Sequence, residues 1–139
     1  MALDVDGMVP LLQVFDMPTA IRFYRDILGF QLVVTSGGGE QSDWVLLRRD
    51  GIELMLNTAY EADVRPATPD AARIASHADI GLFFGCADLD SAYEHFRSQG
   101  VQVRPPRVAD YGMRQLYVTD PDGYILCFQW PAAEQSPTA

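Results

Sequence analysis

The stretch VTDPDGYILCFQW, residues 118–130, joins a tight turn to a strand and contains the pattern that decides the fold. In its turn, DPDG, proline fixes φ at about −65°, aspartate accepts backbone hydrogen bonds, and glycine takes the positive φ that other residues avoid. Alternate side chains of the following strand point to opposite faces. One face carries Tyr124, Leu126, Phe128 and Trp130, and the other carries Ile125, Cys127 and Gln129. The second face could line a metal site, a reaction pocket or a core.

This turn has a counterpart earlier in the chain, where Asp50-Gly51 also opens an apolar strand. Asp16 and Asp88 each end an apolar run and open an amphipathic segment. Both pairs of markers differ by 72 positions. A fixed offset of this kind indicates an internal repeat, so each half is interpreted as strand, helix and three strands.

The elements of the two halves follow from apolar periodicity. In the first half, a helix begins near Pro18 and ends at Gly29, and its apolar stripe predicts a core contact. That stripe consists of Met17, Ala20, Ile21, Tyr24 and Leu28. The predicted strands are VPLLQVF, QLVVT, DWVLLRR and GIELMLN in the first half, and DIGLFFGC, VQVR, RQLYVT and YILCFQW in the second, where DLDSAYEHFRSQG is the helix.

We therefore predict an α+β fold of two βαβββ repeats. They form a cupped, mostly antiparallel eight-stranded sheet with a helix on the outer face of each repeat. The expected first unit spans residues 8–57 and the second spans 79–131, with a linker at 58–78 and a flexible tail at 132–139. His77, at the end of the linker, and His95, in the second helix, are both expected to face solvent.

Composition excludes several classes of function. The chain has 139 residues, enough for one domain with a proper core, and 48% of them are hydrophobic. Its net charge of −9 argues against nucleic acid and anionic membrane surfaces as partners, and it favours a cationic ligand. No apolar run is long enough for a membrane span and no secretion signal is visible, so a cytoplasmic location is expected. Cys86 and Cys127 are predicted to be small buried residues in a reducing compartment.

The paired units, together with the segments FYRDILGF, GIELML and DPDGYILCF, resemble the vicinal oxygen chelate superfamily. This superfamily includes glyoxalases, extradiol dioxygenases, fosfomycin-resistance enzymes and bleomycin-resistance binding proteins. The resemblance covers roughly residues 8–131. It implies a cupped sheet around a small-molecule cavity and a homodimer.

The resemblance also implies where a metal would bind, because enzymes of this superfamily hold a divalent cation with His, Gln or Glu from four strands. Carried over by position, these ligands fall on Val9, Glu53, Gly81 and Cys127, with Cys127 taken as the counterpart of Glu53. Glu53 alone has a hard oxygen donor, so we predict no metal, no other cofactor and no catalytic residue. A set of His77, Asp79 and Glu53 is the alternative metal site.

We assume that the cavity is lined by the side chains on the same strand faces as these four positions. The lining is then apolar with a few polar groups, which suits a planar or amphipathic organic molecule. Glu53 would then pair with Arg114, contact a cationic ligand group or act as a lone general base. The candidate ligand-binding residues are Gln13, Phe15, Trp44, Glu53, Met55, Phe83, Tyr111, Arg114, Cys127 and Gln129.

Two functions are compatible with this lining. The first is a metal-independent protein of the bleomycin-resistance type that sequesters an antibiotic or an aromatic metabolite. The second is a metal-dependent lyase or dioxygenase of the same superfamily. A structural or regulatory dimer with a vestigial pocket is a third possibility.

Overall fold

A computed structural model describes residues 2–134. Contacts divide the chain into two compact units, one ending at Pro69 and the other beginning at Asp70. Each unit contains a four-stranded mixed sheet and a helix in the order βαβββ, which confirms the predicted α+β repeat. Of the predicted tail, residues 132–134 form a 3₁₀ turn, and residues 135–139 lie outside the described residues.

The first unit is built from four strands and one helix. These are β1 (Leu11–Val14), α1 (Met17–Ile21), which continues as a π-helical turn (Arg22–Ile27), β2 (Gln31–Thr35), β3 (Trp44–Arg49) and β4 (Ile52–Thr58). The strand order is β1-β4-β3-β2, and β1 runs parallel to β4 while the other neighbours are antiparallel. The predicted stripe of α1 is buried along its whole length.

Local chemistry sets both ends of this helix. The Asp16 carboxylate accepts a hydrogen bond from the backbone N–H of Thr19 at 3.1 Å, so it caps the N-terminus. Gly29 has a φ of 81° and turns the chain away after the last helical turn. The Arg49 guanidinium donates to the Leu28 carbonyl at 2.6 Å, which satisfies an acceptor at the helix end.

The second unit repeats this plan after a short helical segment. Its elements are α2 (Ala71–Ser76), a 3₁₀ turn (His77–Asp79), β5 (Gly81–Gly85), α3 (Leu89–Ser98), β6 (Arg107–Val108), β7 (Met113–Thr119) and β8 (Ile125–Pro131). The strand order β5-β8-β7-β6 matches that of the first unit. Leu11 lies opposite Met55 in the first sheet and Phe83 lies opposite Cys127 in the second, so the register also repeats at the offset of 72.

The strand predicted at VQVR is wrong. Residues 101–106 form no regular element, and the edge strand β6 begins only at Arg107. Pro105 and Pro106 explain the shift, because proline has no N–H to donate to a ladder and restricts the residue before it. The apolar alternation of Val101 and Val103 is therefore not used for strand pairing.

His77 was expected to face solvent, and this expectation is wrong. Its ring is stacked on that of Tyr124 at 4.0 Å, and its Nδ1 lies 2.6 Å from the carbonyl oxygen of Asp122. Only 9% of the residue is exposed. The end of the linker is thus packed on the DPDG turn, whereas His95 faces solvent as predicted.

One face of each sheet is covered by the helix of its own unit. In the first unit Leu12, Val14, Leu54 and Leu56 point to this side and are buried, and the corresponding side chains of β7 and β8 pack under α3. Within residues 2–134 no helix is long and apolar enough to cross a membrane. The uncovered face of each sheet carries the candidate site residues.

Candidate functional site

The uncovered face of the second unit is organised in rows that cross neighbouring strands. Cys127 lies between Phe83 of β5 and Tyr117 of β7 in the strand register. Phe83 and Tyr117 are 58% and 49% exposed, whereas Cys127 is fully buried between them. Two aromatic side chains thus border a small, inaccessible thiol, which gives this row a flat apolar surface.

The next row is polar. Gln115 of β7 lies opposite Gln129 of β8 on one side and opposite Arg107 of β6 on the other. The Gln115 amide nitrogen donates to the Gln129 side-chain oxygen at 2.9 Å and to the Tyr111 hydroxyl at 2.7 Å. The Tyr117 hydroxyl donates to the Gln115 oxygen at 3.3 Å. These bonds fix the buried Gln115 amide and hold two tyrosines around it.

This network leaves donors available to a ligand. Both hydrogens of the Gln115 amide are used, since it donates to two acceptors. The Gln129 side-chain oxygen takes part as an acceptor, and within residues 2–134 the Gln129 NH₂ group has no acceptor. The row can therefore orient a carbonyl, carboxylate or other acceptor group.

The two titratable groups of the aromatic row are held neutral. Burial raises the pKa of the Tyr117 phenol, and the neighbouring Cys127 raises it further. Burial also raises the pKa of the Cys127 thiol, although the hydrogen bond with Tyr117 opposes part of this change. A neutral, buried thiol is a poor nucleophile and a poor metal ligand. Cys127 therefore contributes shape, and this explains why the strand tolerates a thiol on this face.

A cleft of about 690 Å³ adjoins the polar row, between β7 and the segment that precedes it. The volume is in the range of small-molecule sites. Its lining combines aliphatic walls with two guanidinium groups and the side chains of the polar row. The lining residues are Gln102, Val103, Arg104, Pro105, Arg107, Val108, Ala109, Gln115, Tyr117 and Thr119.

The first unit presents a second group of predicted residues. Gln13 lies opposite Asn57, and Asn57 lies opposite Trp44 in the register of β1, β4 and β3. The Asn57 amide donates to the Gln13 side-chain oxygen at 3.3 Å. Met55 occupies the next row, between Leu11 and Leu46. This face has the same mixture of apolar and amide groups as that of the second unit.

Phe15 follows β1 and contacts residues from the end of its own unit. Its ring meets that of Tyr60 edge-on at a centroid distance of 6.2 Å. The guanidinium of Arg65 lies 5.2 Å from the ring centre, in a cation–π contact. These contacts give Phe15 a packing role within the first unit.

Glu53 does not pair with Arg114, so that expectation is wrong. The Glu53 carboxylate accepts two hydrogen bonds from Arg48, at 2.7 Å and 3.0 Å. Arg114 lies opposite Trp130 on the helix-covered face and donates to Asp90 of α3 at 2.7 Å. The reason is parity: Arg114 is adjacent to Gln115, so the two side chains point to opposite faces of β7.

The expected equivalence of Cys127 and Glu53 is also wrong. The offset of 72 carries Met55 onto Cys127 and Glu53 onto Ile125, and the registers of β1 with β4 and of β5 with β8 agree with this. A shift of two residues leaves each side chain on the same face, so alternation cannot detect it. Cys127 therefore belongs to the aromatic row rather than to the row of the carboxylate.

The residues present do not fit a divalent metal. Val9, Gly81 and Ile125, the position equivalent to Glu53, offer no donor, Cys127 is a neutral thiol, and Arg48 already neutralises the Glu53 carboxylate. The alternative set around His77 is not formed, since residues 2–134 contain no group of three His, Cys, Asp or Glu side chains that could hold a metal ion.

Two of the predicted residues, Tyr111 and Gln129, contact Gln115 in the polar row of the second unit, and two others, Phe83 and Cys127, belong to the neighbouring aromatic row. Gln115, Tyr117 and Arg107 were missed. The alternation of RQLYVT could have indicated the first two, because it places Gln115 and Tyr117 on one side of β7. Arg107 could not be found, since the edge strand was predicted before the two prolines.

Comparison with known proteins agrees with this architecture. Residues 8–128 match the model of the Glyoxalase/Bleomycin resistance protein/Dioxygenase superfamily. No curated protein sequence matches the chain significantly.

Several solved structures share the fold at low sequence identity. A Nocardioides structure described as a glyoxalase/bleomycin resistance protein/dioxygenase has a TM-score of 0.72 and 18% identity, with coverage of 99% of this chain and 91% of that one. The bleomycin resistance determinant encoded on transposon Tn5 has a TM-score of 0.67 and 21% identity, over 91% and 98% of the two chains. TnmS3, an antibiotic binding protein from Streptomyces sp. CB03234, has a TM-score of 0.65 and 22% identity, over 94% and 98%.

At these identities the structural likeness shows the fold alone, whereas the family model spans most of the sequence. The match also covers both repeats and every strand of the two sheets except the end of β8. The chain therefore belongs to the Glyoxalase/Bleomycin resistance protein/Dioxygenase superfamily.

Proposed function

We propose that this protein binds a planar, small organic molecule without a metal ion, as an antibiotic- or metabolite-sequestering protein. The observation that supports this most strongly is the uncovered face of the second unit, where an aromatic row lies beside a hydrogen-bonded row centred on Gln115. A flat apolar surface with a few fixed polar groups is the usual composition of a small-molecule site. The cleft of about 690 Å³ beside it gives room for such a guest.

The candidate residues divide between the two units. Phe83, Tyr111, Cys127 and Gln129 would contact the ligand in the second unit, and Gln13, Trp44 and Met55 form the corresponding face of the first. The expected cationic ligand rested on Glu53. Because Arg48 offsets that carboxylate, we propose an aromatic ligand instead.

The antibiotic-binding names among structurally similar proteins are consistent with this proposal. The metal-dependent lyase or dioxygenase keeps one matching donor, Glu53, and the other three positions offer no suitable ligand. A binding function without catalysis therefore accounts for more of the residues on these faces than a metal-dependent enzyme does.

A panel of planar aromatic compounds, read by the melting temperature in excess EDTA, tests the proposal. At least one compound should raise the melting temperature, because a ligand of the native state stabilises it. The Gln115→Leu variant should lose this rise, since it removes the centre of the polar row. Gln99→Leu, at the exposed end of α3, is the matched control and should keep it. The proposal fails if no compound acts, or if the rise requires a divalent cation.

We further propose that the protein acts in the cytoplasm and forms a homodimer. The homodimer is proposed because apolar side chains remain exposed on both sheets. Leu11, Val34 and Phe83 are 42%, 43% and 58% exposed, and a two-fold partner would cover such groups. Light scattering after size-exclusion chromatography should give twice the mass of one chain. A monomeric mass at micromolar concentration would contradict this.

A further inference from the structure

We propose that the cleft beside the polar row selects a flat aromatic anion, a compound that carries a carboxylate or a similar acidic group. This inference rests on the proposed function and specifies the ligand's charge. It reverses the expectation drawn from the acidic composition of the whole chain, and it follows from how the arginines are partnered.

All ten basic residues of the chain are arginines. Eight of them have a hydrogen bond or an ion pair within the protein. These are Arg22, Arg25, Arg48, Arg49, Arg65, Arg73, Arg97 and Arg114. Among the described residues Arg104 and Arg107 have neither, and both line the same cleft.

An acidic protein has many carboxylates that could neutralise two exposed guanidinium groups. The chain contains 19 Asp and Glu residues, yet none of those that the structure describes lines the cleft. Asp110 follows the lining residue Ala109 but is not part of the lining, and it makes no ion pair with either arginine among the described residues. The local charge of the cleft is therefore positive against an overall charge of −9. Such a region attracts an anion by its local field.

The neighbouring groups add donors rather than acceptors. Arg107 lies opposite Gln115 in the register, so both side chains share the uncovered face. The Gln129 NH₂ group, beside Gln115, has no acceptor within residues 2–134. The two guanidinium groups of the lining complement a carboxylate, because a planar guanidinium can bind one through two parallel hydrogen bonds.

The rest of the lining suits an aromatic body. Val103, Pro105 and Val108 give an aliphatic wall, and the exposed Tyr117 also lines the cleft. Tyr117 adds no negative charge, because a phenol is neutral at pH 7 and burial raises its pKa further. A ring system of two or three fused rings would bury its faces here while its acidic group reached the guanidinium groups.

Three naphthalene compounds of nearly equal size test whether the charge of the ligand determines its affinity. They are 2-naphthoate, 2-naphthamide and 2-naphthylmethylammonium, which carry a negative, a neutral and a positive group. Titration calorimetry should show that wild type binds the carboxylate about tenfold more tightly than the amide, as expected for charge-assisted hydrogen bonds. The cation should bind most weakly. Added salt should reduce the preference.

Arginine variants then test whether the preference for the carboxylate over the amide arises in the cleft. The double variant Arg104→Gln, Arg107→Gln should bind the carboxylate and the amide equally while its affinity for the amide stays unchanged. The double variant Arg22→Gln, Arg97→Gln is the matched control, because it removes the same two charges from exposed positions outside the cleft. It should keep the wild-type preference.

The outcomes separate this inference from the proposed function. Equal binding of carboxylate and amide by wild type, or a preference that survives in the double variant, overturns the inference and leaves aromatic binding intact. Tighter binding of the cation also overturns it. If none of the three compounds binds, both the inference and the proposed aromatic class are wrong.

Discussion

Replacing Gly123 by alanine is expected to destabilise the protein by about 3 kcal/mol, through backbone strain and a steric clash together. Gly123 has a φ of 87°, which L-residues rarely adopt. An added methyl group would also meet the backbone carbonyl oxygen of Ile74 in α2. This oxygen belongs to the backbone and cannot rotate aside as a flexible side chain could, so α2 would have to move away from the DPDG turn.

Gly100 provides a matched control for this effect. Its φ is 76°, but an added methyl group there would meet nothing within 4 Å. Gly100→Ala should therefore lower the free energy of unfolding only through backbone strain at a positive φ, by about 1 kcal/mol. Urea unfolding of both variants measures the difference in the free energy of unfolding. Equal losses for the two glycines would mean that α2 does not press on the turn.

The Cys127→Glu substitution is expected to cost about 3 kcal/mol at pH 7 relative to Cys127→Gln, because it places a carboxylate at a fully buried position. The two variants have nearly the same volume, so their difference isolates the charge. Arg48, the arginine that neutralises Glu53, belongs to the first sheet and is not paired with this row. The aromatic neighbours Phe83 and Tyr117 offer no positive charge.

This cost should depend on pH in a defined direction. The unfolded glutamate has a pKa of about 4.3, and burial raises the pKa of the folded carboxyl above it. Between the two values the folded state binds more protons, so the free energy of unfolding rises as the pH falls from 7 towards 5. The Gln variant should show no such gain over wild type. A Glu variant as stable as the Gln variant at pH 7 would show that Cys127 lies in a polar or charged setting.

Adding metal to the Cys127→Glu variant tests whether a carboxylate at this position is enough to form a metal site. With Val9 and Gly81 lacking donors, zinc or nickel should not restore the melting temperature of Cys127→Glu. A large rise with either ion would mean that other side chains complete a site around this position.

The repeat was predictable because it depends on local signals. Asp16 and Asp88 cap helices, and Asp50-Gly51 and Asp122-Gly123 form turns, wherever the rest of the chain lies. Strand alternation likewise placed Cys127 and Gln129 on the uncovered face. These features need only neighbouring residues, so the sequence displays them directly.

The features that could not be predicted depend on distant residues or on register. His77 contacts Asp122 across 45 positions, and no local pattern indicates that contact. Parity alone could not tell Met55 from Glu53 as the counterpart of Cys127, because both lie on the same face of β4. The offset of 72 between the halves could have done so, since it carries Met55 onto Cys127. The partner of Glu53 was missed for a related reason: Arg48 lies opposite it only once the hairpin register is known.

The direct test of the central claim is the dissociation constant of an aromatic ligand with and without metal. The compound that gives the largest rise in melting temperature would be titrated calorimetrically into protein in excess EDTA, and again in excess zinc. Metal-independent binding on the sheet face predicts the same dissociation constant in both, and loss of binding in Gln115→Leu. Binding that appears only with zinc, or that Gln115→Leu leaves unchanged, would contradict it.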